Sequence, residues 1–481
     1  MGQGTSSDPE LMKASTTYFA LIFKPTDKLE IVNTGKDVVH IFEKILSPRN
    51  FIQRTRYKDE TETYKIKIYG MPFSVAGGST VDFKVSFLHI LDQLYIELQM
   101  VPFVSSDLCL STDTSTVFFE KEFENTSRGH YVCIAPSGHD CLDLINFPPN
   151  VQTQIISVIQ SSWGTSDAKE KISQCFRVKM VGNPWSFGAS RENATLVRRL
   201  LLKIVETMKF NSYKYVVNIS MKGTCDMMYF QYDPTIIPDS SRSFIMYLSK
   251  RDRVRLLDAP DHVKSSIKSA IEANWIGGIT NERVHNHALE FKLKGNPWYA
   301  HSYDAIPSRA LISSIFKEMR QMNIKCIGTF DISRRTNDKS VFLFESNPTF
   351  ALHPSINIRW TCLYFCGRNK LMLVGAHQEL VELIDKFLLP IVKSNGTYDK
   401  GVYLWRFSNS VFSYSPFNNS EQEYLYKRLI VVYENMKLLG WELVSSADVS
   451  SIVIKRNDKY VSYDTHSWYF LSTRGNSVLS Y

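Results

Sequence analysis

Apolar positions in this chain switch between two spacings. One is every second residue, as in a half-buried strand; the other is every third or fourth, as in an amphipathic helix. The order of the switches repeats. Strand-like runs over 19–23 and 29–32 are followed by helical spacing at Val38, Val39, Ile41, Phe42, Ile45 and Leu46. A polar stretch over 49–62, read as a loop, leads to a strand over 64–69. Next come a helix carrying Phe83, Phe87, Leu88, Leu91 and Leu94 and two strands near 99–104 and 117–120. The same order returns from Tyr131, from Ser243 and, with more divergence, from Arg359. The pattern predicts a tail over 1–16 and four β-β-α-β-α-β-β units over 17–121, 129–234, 242–347 and 357–473. The fold class expected is α+β with antiparallel sheets. A period of this length marks tandem domains rather than a solenoid.

One stretch anchors the register. Phe291-Lys292-Leu293-Lys294 runs into Gly295-Asn296-Pro297-Trp298, and Phe176 to Val181 runs into Gly182-Asn183-Pro184-Trp185. Gly70, Pro72 and Phe73 form a weaker copy, and the three glycines recur about every 112 residues. Gly admits positive φ, Pro sets φ near −65°, and Asn tolerates the left-handed region, so each copy predicts a tight turn. Trp185 and Trp298 are expected to fold back as apolar plugs over the helix–sheet seam. A ligand platform, for a base or a sugar, is the alternative, but a residue repeated in tandem units most often serves packing common to them. In the fourth unit the turn is expected at Ser408 to Val411, without Gly, Pro or Trp. Asp113, Asp226 and Asp338 recur before the last strand of three units and are read as turn caps rather than as acids or bases.

Begun at the anchoring strand, the element order resembles that of the TATA-box-binding-protein type. That order implies that the last two strands of one unit pair with the first two of the next. The F-K-L-K-G-N-P-W run at Phe291 to Trp298, with the Asp331 to Lys339 turn, resembles an uncharacterised group of tandem-repeat proteins in fungi and invertebrates. The resemblance implies no activity.

Composition changes this picture little. Hydrophobic residues make up 44% and charged residues 22%, as in ordinary globular proteins. Eight cysteines without a C-x-x-C pair point to reduced thiols and a cytoplasmic setting. The net charge of +8 favours anionic surfaces weakly. Lys250, Arg251, Arg253 and Arg255 form the densest basic cluster and are read as a candidate basic surface, with Arg49, Arg54, Arg56 and Lys58 nearby in kind. Cys362 and Cys366 share a strand face, and His285 and His287 form an H-x-H. Neither set has the further ligands a zinc site needs, so no metal or cofactor is expected. P-loop, dinucleotide, nucleophile-elbow and H-E-x-x-H signatures are absent, and no catalytic residue is assigned. Met1-Gly2-Gln3-Gly4-Thr5-Ser6 fits the N-myristoylation pattern, with Gly2 as acceptor.

Three readings therefore stand side by side. The first is a non-enzymatic binding or scaffolding protein with an unidentified protein partner, held at an anionic membrane by an acyl chain on Gly2. The second is a nucleic-acid binder using a concave sheet. The third is an enzyme with its site between units.

Overall fold

The computed structural model describes residues 17–73, 81–109, 114–123, 128–172, 174–185, 191–221, 225–236, 242–332, 339–346, 357–399, 401–413, 420–456, 459–463 and 466–473. Unit one holds β1 (Tyr18–Lys24), β2 (Lys28–Val32), α1 (Lys36–Leu46), β3 (Ile52–Lys58), β4 (Thr63–Ile68), α2 (Val81–Leu98), β5 (Met100–Ser106) and β6 (Thr116–Lys121). Unit two holds β7 (Tyr131–Ser137), β8 (Cys141–Ile145), α3 (Pro149–Ser162), β9 (Thr165–Ile172), β10 (Cys175–Met180), α4 (Arg191–Phe210), β11 (Tyr213–Ile219) and β12 (Met227–Tyr232). Unit three holds β13 (Ser243–Ser249), β14 (Arg253–Leu257), α5 (Asp261–Asn274), β15 (Ile279–His285), β16 (Ala288–Leu293), α6 (Ile306–Gln321), β17 (Ile324–Phe330) and β18 (Val341–Ser346). Unit four holds β19 (Arg359–Cys366), β20 (Lys370–Val374), α7 (Gln378–Leu388), β21 (Val392–Asp399), β22 (Val402–Phe407), α8 (Ser420–Leu438), β23 (Trp441–Ala447) and β26 (Ser467–Ser472). A small hairpin, β24 (Ile452–Arg456) and β25 (Lys459–Tyr463), is inserted before the last strand of unit four.

The chain is thus α+β with four antiparallel sheets, and each unit has one strand more than its hydrophobic pattern announces. The polar stretch expected as a loop contains β3, and its counterparts are β9, β15 and β21. Each forms the outer edge of a six-stranded sheet, in the order β3-β4-β2-β1-β6-β5 and its equivalents. Strand β15 is exposed along nearly its whole length, so neither of its faces needs apolar residues and no alternation appears. The last strands do not pair with the next unit, as the TATA-box-binding-protein order implied. Each pairs with the first strand of its own unit, as β6 does with β1 and β18 with β13.

The units are tied together by helices. Phe19, Leu21 and Phe23 face α1 and α2 of their own unit, while Ala20 and Ile22, between them, pack into a core with α8 of unit four. Likewise α2 lies on β7, α4 on β13 and α6 on β19, so the four units close into a ring. Each of the four cores combines one unit with the back of the following sheet. Period-two strands buried on both faces explain why the inner strands read as near-continuous apolar runs.

Candidate functional site

The aromatic and proline residues of the predicted turns are packed into the fold. Trp185 and Trp298 are fully buried, and their backbone amides donate to His139 and Arg251 carbonyls at 3.1 and 2.9 Å. Their indole N–H groups donate to the carbonyls of Cys141 and Arg253 at 2.8 and 3.0 Å, equivalent positions in the two units. Gly182 and Gly295 sit at φ of 70° and 84°, which lets the chain fold back so sharply. Phe73 is buried on the same kind of bond, to Thr26, and Pro72, Pro184 and Pro297 are buried beside the plugs. Unit four supplies Phe412, whose amide donates to Arg368, one position beyond the turn expected from sequence.

Of the basic cluster, Lys250 and Arg251 are exposed, whereas Arg253 is half-buried and Arg255 buried. Arg255 is buried, and Arg253, Arg255 and Arg283 all surround the buried Glu290 carboxylate, with Arg255 Nε at 2.7 Å and Arg283 Nε at 2.9 Å. Burial alone would raise the Glu290 carboxyl; Arg255, Arg283 and Arg253 outweigh it and hold it below the usual range. Arg251 stacks on Tyr299, 4.2 Å from the ring centre. The same cross-strand position carries Glu30 opposite Lys65 in unit one and Asp143 bonded to Arg177 in unit two; in unit four it is Met372 opposite Leu404. An ion pair repeated with reversed polarity and then replaced by apolar residues is a packing element.

Cys362 and Cys366 are buried free thiols, and His285 and His287 sit at the end of β15 and in the turn after it. Among the described residues no cluster of His, Cys, Asp or Glu is placed to hold a metal. Gly2, Asp113 and Asp338 lie outside the described residues.

Asp226 takes part in a device that the sequence did not reveal. The amide of Asp226 donates to the Asp331 carbonyl at 2.8 Å, across the seam between units two and three. Ser115 to Ser220, Ser340 to Asp448 and His466 to Asp107 make the same bond at the other three seams. The structural counterparts of Asp226 are therefore Ser115 and Ser340, each two residues on from the aspartate that the period suggested, and His466 in unit four. The Asp226 carboxylate also accepts the Asp331 amide at 2.7 Å and Asn218 Nδ2 at 2.6 Å. It is pushed up to about 6 by burial, against the opposing effect of these two bonds. Ser115 and Ser340 use their hydroxyls similarly, on the amides of Ser220 and Asp448.

Inside this ring of bonds the innermost strands β5, β11, β17 and β23 lean on one another. Each carries a bulge at the same place, between Pro102 and Val104, Tyr215 and Val217, Cys326 and Gly328, and Leu443 and Ser445. Tyr215 is seated on Gly328, where a Cβ would lie 2.2 Å from its ring. A narrow cavity of about 70 Å³ remains on the axis.

One domain-family model matches residues 17–106, 130–231, 242–345 and 359–471. The chain belongs to that uncharacterised family, four times over. Comparison with curated proteins and with solved structures finds no match. The four family segments correspond to the four sheets of the ring, so repetition in sequence and repetition in structure are one.

The opposite end of the ring lies at the C-terminal ends of the long helices. Lys437 near the end of α8 meets Glu120 at the end of β6 at 2.6 Å, and Lys209 of α4 meets the equivalent Glu345. Exposed on these helix ends are Ile96, Phe210 and Leu438, with Phe123 just after β6 and tied in by the Glu122 amide on the Gln99 carbonyl. The chain enters the fold on the same side, where the Lys121 amide donates to the Thr17 carbonyl at 2.8 Å.

Proposed function

We propose that this protein is a non-enzymatic docking ring that rests on a membrane through the face bearing Ile96, Phe123, Phe210 and Leu438. The observation carrying this reading is convergence: exposed apolar side chains of three units and the entry point of the chain share one face. An acyl group on Gly2, joined to the ring there, supplies one hydrophobic anchor. A single myristoyl chain binds only marginally, and the apolar side chains with nearby Lys121 and Lys214 supply the second contribution. Among the described residues no helix is long and apolar enough to cross a bilayer. The remaining surfaces are left for a protein partner.

The nucleic-acid reading has less to stand on. Each sheet has its own helices on one face and the preceding unit's long helix over the inner part of the other, so no bare concave sheet appears among the described residues. The axial cavity holds no more than a few water molecules, so no strand threads it.

Flotation with phosphatidylserine-containing vesicles tests the membrane reading. The acylated protein is expected to float, a Phe123→Ser/Phe210→Ser/Leu438→Ser variant to float several-fold less, and Gly2→Ala to float less again. Equal flotation of all three, or flotation of none, overturns it. Self-association through this face in a sedimentation experiment would reassign it to contact between two copies.

A further inference from the structure

The axial cavity has properties that no packing role explains. The innermost strands are edge strands, each paired with its own sheet on one side only. Their other edges face one another across the axis. Four backbone bonds cross between units, and all four lie at the strand ends, from Ser115, Asp226, Ser340 and His466. Along the cavity itself, among the described residues, no backbone–backbone bond joins one innermost strand to the next, and the one edge carbonyl met by a lining hydroxyl is that of Ser446, which accepts from Thr329 at 2.6 Å. Backbone N–H and C=O groups buried without partners are rare in folded proteins, and ordered water is the usual remedy.

The side chains tell the same story. Ser105, Asn218, Thr329 and Ser445 line the cavity, one from each unit, and no lining residue carries a charge. Tyr215 also lines it, is 8% exposed, and has a hydroxyl oxygen without a hydrogen-bond partner, while the hydroxyl of Ser445, 7% exposed, has only the Cys326 thiol beside it. A polar, uncharged lining of this size suits small neutral hydrogen-bonding molecules and gives an ion no countercharge. At about 70 Å³ the space is several times what one water molecule needs.

We infer that the axial cavity is a solvent site, holding a small cluster of ordered water molecules that bridges the unpaired strand edges of all four units. Water at this point does for the axis what the four seam bonds do at its end: it satisfies polar groups that the pseudo-symmetric meeting of four edges cannot pair directly. The bulges widen the strands there and make the room.

Two measurements test it, both on the full chain. In crystals grown from sodium and from rubidium salts, the same water density bonded to at least three units is expected in both. An empty or collapsed cavity overturns the proposal, and so does an anomalous rubidium peak, which would make the site a cation site. In solution, magnetic relaxation dispersion of water is expected to show long-lived buried water. In Ser445→Val that signal is expected to fall, and Tm to drop by several degrees. A Ser445→Val protein that melts higher than the wild type would mark the cavity as a dry void. Should Ser445→Val fail to fold, the relaxation signal of the wild type still decides: its absence overturns the proposal.

Discussion

Trp298 and Gly328 show how differently single residues declare themselves. Trp298 is fully buried with its indole N–H bonded, so Trp298→Ala is expected to cost about 3–5 kcal/mol, read from denaturant unfolding. An unchanged unfolding midpoint would return the residue to a ligand-binding role. Its importance was visible in the sequence because the same turn recurs at Trp185. Gly328 gave no such sign, since its neighbour Tyr215 belongs to another unit. Gly328→Val is expected to lower Tm sharply, and Tyr215→Ala in the same chain to recover part of the loss. A double variant no better than Gly328→Val alone would show that the clash is not with this ring. The basic cluster misled in the opposite way: Arg253 and Arg255 look free in sequence because Glu290, their counterion, lies on another strand.

At the scale of elements, the long helices carry the information that holds the ring together. Helix α8 closes it, covering the back of unit one. There the Glu423 carboxylate, fully buried, accepts the Thr61 hydroxyl at 2.7 Å and pairs with Lys65 and Lys58, while Lys427 reaches Glu62 at 3.0 Å. Removing Glu423 takes the buried carboxylate from Lys65 and Lys58, which keep Glu30 at 3.7 Å and Glu60 at 3.6 Å, so the cost is expected to fall below the about 3–5 kcal/mol of a fully buried pair. Glu423→Ala is therefore expected to loosen the seam between units four and one first, seen as faster hydrogen exchange in β1 and α8 than in β13 and α6. Uniform exchange across all seams would contradict this. The outer strands β3, β15 and β21 are the other lesson at this scale. They are polar because they are rim edges, and polarity without alternation resembles a loop when only the sequence is read.

For the whole molecule, the shared cores predict one cooperative transition. Tyr131, Cys133, Ala135 and Ile145 of unit two belong to a core with unit one, so residues 129–234 expressed alone would expose them. That fragment is expected to lack dispersed amide resonances, whereas the full chain is expected to melt in one step; a well-folded fragment would contradict the ring's interdependence. The seam bonds also predict a pH signature. Burial lowers His466 to about 4 from an unfolded value near 6.5. Its contribution is present above about 6.5 and is lost as pH falls through about 4. Asp226, raised to about 6, has the opposite sign: its contribution is full below the ordinary aspartate range and is lost as pH rises through about 6. Thermal melts from pH 4 to 7 are expected to lose their acid-side drop in His466→Asn and to gain a steeper one in Asp226→Asn. Parallel curves for all three proteins would refute both assignments.

What the amino-acid sequence determines by itself lies within one unit, and there it covers the buried elements but not the polar rim strands. The helix and strand periods, the Gly-Asn-Pro-Trp turns and the fourfold repeat follow from backbone geometry and from burial that each unit imposes on its own residues. The tertiary structure decides what depends on two units at once. Which sheet face meets a neighbouring helix, why Ser115, Asp226, Ser340 and His466 share one role, and where an axial cavity opens are all set by contacts between residues a hundred or more positions apart in the chain. Local propensity carries no trace of such contacts, because the energy that selects them appears only when the ring closes.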